Sequence, residues 1–346
     1  MPLNYISVES LTDGEVIALD IIEITSIPHI SIIDERSNVI DEIVEKYKNE
    51  IISLLNEIYQ SYKTYSYSAN YAKDLSIELL WMTKAVQNQP YNAQINLYII
   101  VRAIDGEPSK AKESVETLVR LCQSAFSLQK YECQEIPYSS LSAIVSHIND
   151  TNIRAIVKEE KAENLQNQLL PFCYAYDRFP ISNSDLSRIV NALIDYPNCA
   201  VSMQLIPTIL DPSEIAEIDR ITQALDTLSK GVMDQGIGNI SFALAKKHAD
   251  VYRYYSDHKT SALFAFNVII YGDNASVSNI SNRVFGQLST GKDGSADLKM
   301  VSLSRDAVSK DTNFYPLPWA VNEVLTGTDR NFNIWNSDQF SNALYR

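Results

Sequence analysis

Two hydrophobic periods alternate along this chain. Runs of β-branched and aliphatic residues predict strands, and stretches with apolar residues every three or four positions predict amphipathic helices. Gly14 and Glu15 introduce the first strand, Val16 to Ile24, which stalls at Ser26 and Ile27 and stops at Pro28. From Asn38 the period changes. Ile40, Ile43, Val44, Tyr47, Ile51, Leu54, Leu55 and Ile58 form one helical stripe, opposite Asp41, Glu42, Glu45, Lys46, Lys48 and Glu50.

One pattern then occurs twice. In AQINLYIIVRAI (93–104), Ile95, Leu97, Ile99 and Val101 face one way and Asn96, Tyr98, Ile100 and Arg102 the other, which predicts a half-buried strand. Asp105 and Gly106 turn the chain, and Pro108 with Ser109 starts a helix striped by Val115, Leu118, Val119, Cys122, Ala125 and Phe126. KYECQEI (130–136) returns as a strand. The same order recurs over 260–304: strand TSALFAFNVIIYG, a turn at Asp273 and Asn274, a helix striped by Val277, Ile280, Val284, Phe285 and Leu288, and strand DLKMVSLS. A diverged duplication fits this, with too few copies for a solenoid.

Between the copies lie a strand at NIRAIVKEEK (152–161), a polar connection to Asn167, the apolar run QLLPFCYAY, and a helix capped at Ser184 that buries Ile189, Val190, Leu193 and Ile194. CAVSMQLIPTIL (199–210) is a strand that Pro207 either ends or confines to an edge. Asp211 and Glu214 form an N-cap pattern around Pro212, opening a helix that carries Ile215, Ile218, Ile221, Thr222, Leu225 and Leu228 to Gly231. A further helix runs from Asn239 to Tyr255. The tail, with Phe314, Tyr315 and Trp319 among prolines, is expected to be extended and packed on the body, and SDQFSNALYR begins a helix. A stop inside such an element suggests a portion of a longer polypeptide.

The expected fold class is therefore α/β (α+β), with two related strand-helix-strand units in mixed sheets flanked by helices. Four regions follow: 1–75 with the first strand and long helix, 76–170 with the first unit, 171–306 with the second, and 307–346 as the tail.

Composition narrows the function classes. Of 346 residues, 45% are apolar and 21% charged, a globular balance that excludes wholesale disorder. Lys and Arg number 29 against 43 Asp and Glu, a net charge of -14, which argues against a polyanion-binding surface. No segment reaches the roughly 18 consecutive apolar residues of a spanning helix, and MPLNYISVESLTDGEV lacks a signal-peptide pattern, so a cytosolic protein is expected.

Candidate chemistry is sparse. Cys122, Cys133, Cys173 and Cys199 are scattered without a CxxC pair, so neither zinc nor a disulfide framework is expected; Cys122 and Cys199 read as buried hydrophobes. His29, His147, His248 and His258 show no HxH or HxxxH spacing and read as surface or capping groups. A Ser-His-Asp arrangement of distant residues stays open, although no GxSxG elbow accompanies it. Glu159 and Glu160 adjoin Lys158 and Lys161, a mixed-charge solvated run.

Gly286 to Lys292 fits GxxxxGK, but Asp293 stands where a magnesium-binding Ser or Thr belongs, and the segment follows a helix instead of a strand. It reads as a helix end and solvent loop, with Gly291 and Gly294 supplying positive φ. Gly236, Ile237 and Gly238 read as an interhelical linker. The five tyrosines of YQSYKTYSYSANY (59–71) could stack bases or a peptide. Only Lys63 and Lys73 lie near, which favours a helix end followed by a loop or edge strand. No catalytic, cofactor-binding or metal-binding residue is assigned, and no cofactor is expected.

Residues 199–289, in particular CAVSMQLIPTILDPSEIAEIDRITQALDTLSKG, the helix ending in YRYYSDH, and TSALFAFNVIIYGDNASVSNISNRVFGQLS, resemble the amino-terminal region of HerA/FtsK-type ATPases. Those include conjugative secretion motors and phage-defence ATP-binding proteins. The looser order of elements extends the resemblance to about residues 78–304, and the closing LYR (344–346) looks like the approach to the linker before the motor. The resemblance implies a non-catalytic assembly or partner-recognition domain, with ATPase activity only in a downstream motor, and protein partners or homo-oligomerisation; hydropathy adds that no membrane is expected, and the acidic charge makes nucleic acid an unfavoured partner of this region. Two other readings remain: a self-contained enzyme with an acidic, His and Tyr pocket, and an unrelated adaptor scaffold.

Overall fold

The structure is a computed structural model. It describes residues 6–10, 14–26, 52–64, 74–86, 93–128, 131–136, 140, 152–158, 161–165, 170, 172–175, 193–207, 209–210, 212–230, 239–289, 298–303 and 334–336. Its strands are β1 (Ser7–Ser10), β2 (Val16–Ser26), β3 (Asp74–Ala85), β4 (Ala93–Asp105), β5 (Glu132–Glu135), β6 (Asn152–Lys158), β7 (Lys161–Asn164), β8 (Phe172–Ala175), β9 (Ala200–Pro207), β10 (Leu263–Gly272), β11 (Leu298–Leu303) and β12 (Ile334–Asn336). The helices are α1 (residues 52–64), α2 (Pro108–Leu128), α3 (Pro212–Lys230), α4 (Asn239–His258) and α5 (Asn274–Ser289).

Ten strands form one sheet in the order β1-β2-β4-β3-β9-β10-β6-β11, with β5 added to β2 and β12 to β10; β7 and β8 pair separately. The α+β class is as expected. The layout differs in one respect: the strands of both units share a single sheet, and every pairing among the described residues is antiparallel.

The strand order divides this sheet into two equivalent halves. In the first, the chain passes β2, α1, β3, β4, α2, β5, and the sheet order is β5-β2-β4-β3. In the second it passes β6, β9, β10, α5, β11, and the order is β11-β6-β10-β9. Each half reads fourth, first, third, second. Third and fourth strands run parallel with the first between them, so α2 and α5 are crossovers in split β-α-β units, the arrangement of ferredoxin-like folds. The halves meet where their second strands pair, from Ile77↔Leu205 to Met82↔Ala200.

Local chemistry places the crossover helices. Asp105 Oδ1 accepts the Glu107 amide at 2.9 Å, and Pro108 begins α2 where no amide partner is needed. Asp273 Oδ1 accepts the amides of Ala275 and Ser276 at 2.8 and 2.9 Å, and its Oδ2 accepts Ser276 Oγ–H at 2.8 Å, capping α5. The two acidic turns therefore do the same work in both halves. Along α2, Ala111, Val115, Leu118, Val119 and Cys122 are buried at three- and four-residue spacing. At about 2 kcal/mol per large buried aliphatic side chain, this stripe outweighs the small intrinsic preference of an isolated helix.

All five described helices send their buried side chains to one face of the sheet, where Val101, Ile99, Val201, Met203, Val268 and Ile270 lie. The opposite face, with Ile17, Leu19, Leu80, Met82, Tyr98, Ile100 and Ile269, is equally buried, and no described helix residue belongs to it. The half-buried reading of residues 93–104 is thus corrected: Tyr98, Ile100 and Arg102 are as enclosed as Ile99 and Val101.

Further points differ from the sequence pattern or extend it. The pattern does not single out β3, which lies at the centre of the sheet. β9 is also central, with Pro207 as its last residue, so the proline ends the strand and does not mark an edge. The tyrosine-rich stretch opens inside α1, where Tyr59 is buried against the Phe264 ring at 6.0 Å. β12 pairs with β10, which places that part of the tail on the body. The predicted helix from Ser184 lies outside the described residues except Leu193 and Ile194, and so do the long helix before residue 52 and the final SDQFSNALYR.

One glycine is required by close approach. A Cβ on Gly272 (φ +157) would stand 3.0 Å from Cys199 Cβ and 3.3 Å from Val277 Cγ2, whereas one on Gly106 would meet nothing within 4 Å. Gly272→Ala is expected to lower unfolding stability by about 1–3 kcal/mol, and Gly106→Ala to stay within about 0.5 kcal/mol of the parent. Urea denaturation of the two variants checks this.

Candidate functional site

A buried polar cluster lies on the face opposite the helices, at the seam of the two halves. Alternation along β3 turns Ser76, Glu78, Leu80 and Met82 to this face, and the register sets Glu78 opposite Gln204 of β9 and Ile100 of β4. Arg102 of β4 lies opposite Ser76, and Ser202 of β9 opposite Leu80. Ser76, Glu78, Arg102, Ser202 and Gln204 are each at most 4% exposed.

Glu78 gathers this cluster. Its Oε1 accepts Ser202 Oγ–H at 2.6 Å, and its Oε2 accepts Arg102 Nη2–H at 2.5 Å and Gln204 Nε2–H at 3.3 Å. Both carboxylate oxygens are therefore engaged, with donors from β4 and β9. Arg102 is less complete: its Nε and Nη1 have no hydrogen-bond acceptor, and neither does Ser76 Oγ have a partner. Tyr271 of β10 belongs to the same buried face. Burial pushes its phenol far above the ordinary value, Glu78 pushes it further and Arg102 opposes, so it stays protonated.

A second group pins the start of β9. Thr83 Oγ1–H lies 2.7 Å from the Tyr196 carbonyl and 3.1 Å from the Cys199 carbonyl, while the Cys199 amide donates to Thr83 Oγ1 at 3.0 Å. Asn198 takes φ 60° to make the bend. Burial raises the Cys199 thiol to about 11, against a lowering hydrogen bond from Thr83, and raises Cys122 to about 12; Cys133 is also raised by burial. These thiols are protonated at neutral pH and poor nucleophiles, as expected for Cys122 and Cys199 read as buried hydrophobes.

Asp20 stands apart, on the helix side of β2. It is 1% exposed, its Oδ1 accepts the Ile21 amide at 2.7 Å, and its Oδ2 has no partner. Desolvation raises its pKa to about 7, with the Ile21 amide lowering it and Glu135 adding a further rise. On the surface, the α3–α4 hairpin is clamped by Lys259 on Asp219 and by Arg253 between Asp226 and Asp250. Lys259 and Ser256 hold the Asp219 carboxyl below its ordinary value.

The residues weighed in the sequence fall elsewhere. His248 is 1% exposed, so the surface or capping reading is corrected: it sits in register with the buried Ala245, Ala249 and Tyr252 on the inner side of α4. His258 does cap, with Nδ1 2.8 Å from the Tyr254 carbonyl and its ring stacked on Tyr254 at 4.1 Å. Gly286 to Ser289 belong to α5, a geometry that cannot form a phosphate-binding amide loop. Residues 290–297, with Gly291, Lys292, Asp293 and Gly294, lie outside the described set, as do His29, His147, Glu159, Glu160 and Gly236 to Gly238. Cys173 falls in β8.

Among the described residues, no three His, Cys, Asp or Glu are grouped to hold a metal ion, and no helix is long and apolar enough to cross a membrane. Fold and cluster together define an α+β protein of two fused split β-α-β halves with a buried ion pair at their junction. No protein-family model and no curated protein matches the chain.

Two expectations follow. Arg102→Met should cost about 3–5 kcal/mol by leaving Glu78 charged and unpaired, whereas Glu78→Met with Arg102→Met should recover most of that loss. Guanidinium denaturation of the single and double variants measures it. For Asp20, the folded carboxyl binds its proton more tightly than the unfolded one near 3.8. Its contribution is therefore full below about pH 4 and is lost as pH rises through about 7. Asp20→Asn should remove this slope and gain on the order of 2–4 kcal/mol over the parent at pH 8, read from urea midpoints between pH 4 and 8.

Proposed function

We propose that this chain is a non-catalytic assembly or partner-recognition module, acting in the setting of the HerA/FtsK-like ATPases that its sequence resembles. The observation that carries this reading is the seam: Glu78, Arg102, Ser202 and Gln204 spend their polar groups on fastening one half of the sheet to the other. The result is a continuous ten-stranded sheet, suited to presenting surfaces to other subunits. The net charge of -14 favours basic protein surfaces over nucleic acid as partners.

A self-contained enzyme is the second reading, and Asp20 is what favours it, because a carboxyl titrating near 7 is suited to proton transfer. Its enclosure beneath the helices, at 1% exposure, speaks for a structural role, since a substrate would have to enter the core to reach it.

With magnesium and ATP, the purified chain is expected to show only background phosphate release, the same in Lys292→Ala. It should also leave the anisotropy of a labelled DNA duplex unchanged at moderate salt. Magnesium-dependent turnover lost in Lys292→Ala would overturn the proposal.

A further inference from the structure

The two outer edges of the sheet carry opposite charge. At one, β1, β2 and β5 contain Glu9, Asp20, Glu23, Glu132 and Glu135 and no Lys or Arg. At the other, β6 and β11 contain Arg154, Lys158 and Lys299 and no Asp or Glu. In a chain of net charge -14, that second edge is a local exception. Among the described residues β11 pairs with β6 alone and β5 with β2 alone, so each has one unpaired side. β11 carries few of the devices that blunt an edge: its 6 residues keep an unbroken register without proline or bulge, and Met300 is 38% exposed. Lys299 is its single charge, and a carboxylate on an incoming strand would neutralise it.

The chain itself supplies such a strand. Lys299 and Val301 share a face with Leu303, which packs on the side opposite the helices, and Met300 takes the helix side. On β5, Gln134 lies opposite Glu23, which lies opposite Tyr98 of that same non-helix side, so the exposed Glu132 projects there too, while Cys133 packs into the helix-side core. Direction matches as well. With every ladder antiparallel, β5, β4, β9 and β6 run one way and β2, β3, β10 and β11 the other. A second copy set beside the first in the same orientation therefore brings its β5 antiparallel to β11, with both helix layers on one side.

We propose that β11 of one copy adds to β5 of a second, so that copies join head to tail in a continued sheet. Lys299 then stands in the row of Glu132 and Met300 in that of Cys133. At physiological salt the repulsion between two chains of charge -14 is screened beyond about 8 Å, whereas the facing rows of a ladder lie within that range. The contact is heterologous: each joined pair still offers one acidic and one basic edge, so growth passes the dimer. This inference rests on the assembly reading and narrows it by naming the partner as a second copy of this chain.

Sedimentation equilibrium of the full chain at physiological salt tests it. The average mass should climb past that of a dimer as concentration rises from about 10 µM to about 1 mM, the range in which a small edge contact associates. Lys299→Glu and Glu132→Lys, both at exposed positions, should keep the parent Tm and each weaken association about tenfold or more. Mixed in equal amounts, the two variants should associate again, because each supplies the charge the other lacks. A parent that stays monomeric, growth that stops at a dimer, association untouched by either reversal, or a mixture that fails to recover would each overturn the proposal. None of these outcomes removes the assembly reading, which a different protein partner would satisfy and which magnesium-dependent ATP turnover would sink.

Discussion

Pairing between β3 and β9 is the constraint on which the rest of this structure depends. Each strand is the outermost of its own half, so without the ladder from Ile77↔Leu205 to Met82↔Ala200 there would be two small sheets, each ending in an open edge. Backbone hydrogen bonds alone do not fix the register of such a ladder. Side chains do: a slip by one residue would turn Glu78 toward the helix side, among Ile77, Leu79, Val201 and Met203, where nothing could pair with it. The buried ion pair therefore contributes less as net stabilisation than as discrimination, since its removal as a unit is tolerable and its disruption is not.

The two halves share their logic but not their elaboration. Both use an aspartate after the third strand to start the crossover helix, Asp105 before α2 and Asp273 before α5. Among the described residues, only the second half inserts a helical pair, α3 and α4, between its second and third strands. That hairpin is held by the buried Thr222, whose Oγ1–H lies 2.7 Å from the Ile218 carbonyl and 3.3 Å from that of Tyr252, and by surface ion pairs. Exposed pairs of that kind are screened by solvent and contribute little, so the apolar contact of the helices sets their placement.

Much of this architecture was legible because helices here bury one stripe and expose the other. The stripes of α2 and α5, the acidic turns before them, and the strands on either side follow from periodicity and capping alone. Strands buried on both faces lose that signal. β3 reads Leu75, Ile77, Leu79, Leu80, Trp81, Met82 with no alternation to separate it from a helix segment, and it follows a tyrosine-rich stretch that draws attention elsewhere. Missing β3 meant missing Glu78, and with it the cluster, since Arg102 looks like the solvated face of a strand until its neighbours are known. His248 departs from expectation for a related reason: polarity alone suggests exposure, while its spacing from Ala245, Ala249 and Tyr252 puts it inside.

The strand order also has a consequence for synthesis. The first half closes with β5 at Glu135, whereas the first residue of β9 is Ala200, so β3 is made and paired on one side well before its other neighbour exists. Through that interval β3 is an open edge of apolar residues, the feature by which nascent sheets capture other chains. A charged side chain pointing inward from such an edge discourages foreign strands, because they would have to bury it without a matching donor. Glu78 has Arg102 of β4 beside it already, but a foreign strand would bury its remaining acceptor sites unmatched, and Ser202 and Gln204 are the donors that admit β9. The residue that fastens the finished protein is also the one that keeps its unfinished edge waiting for the right strand.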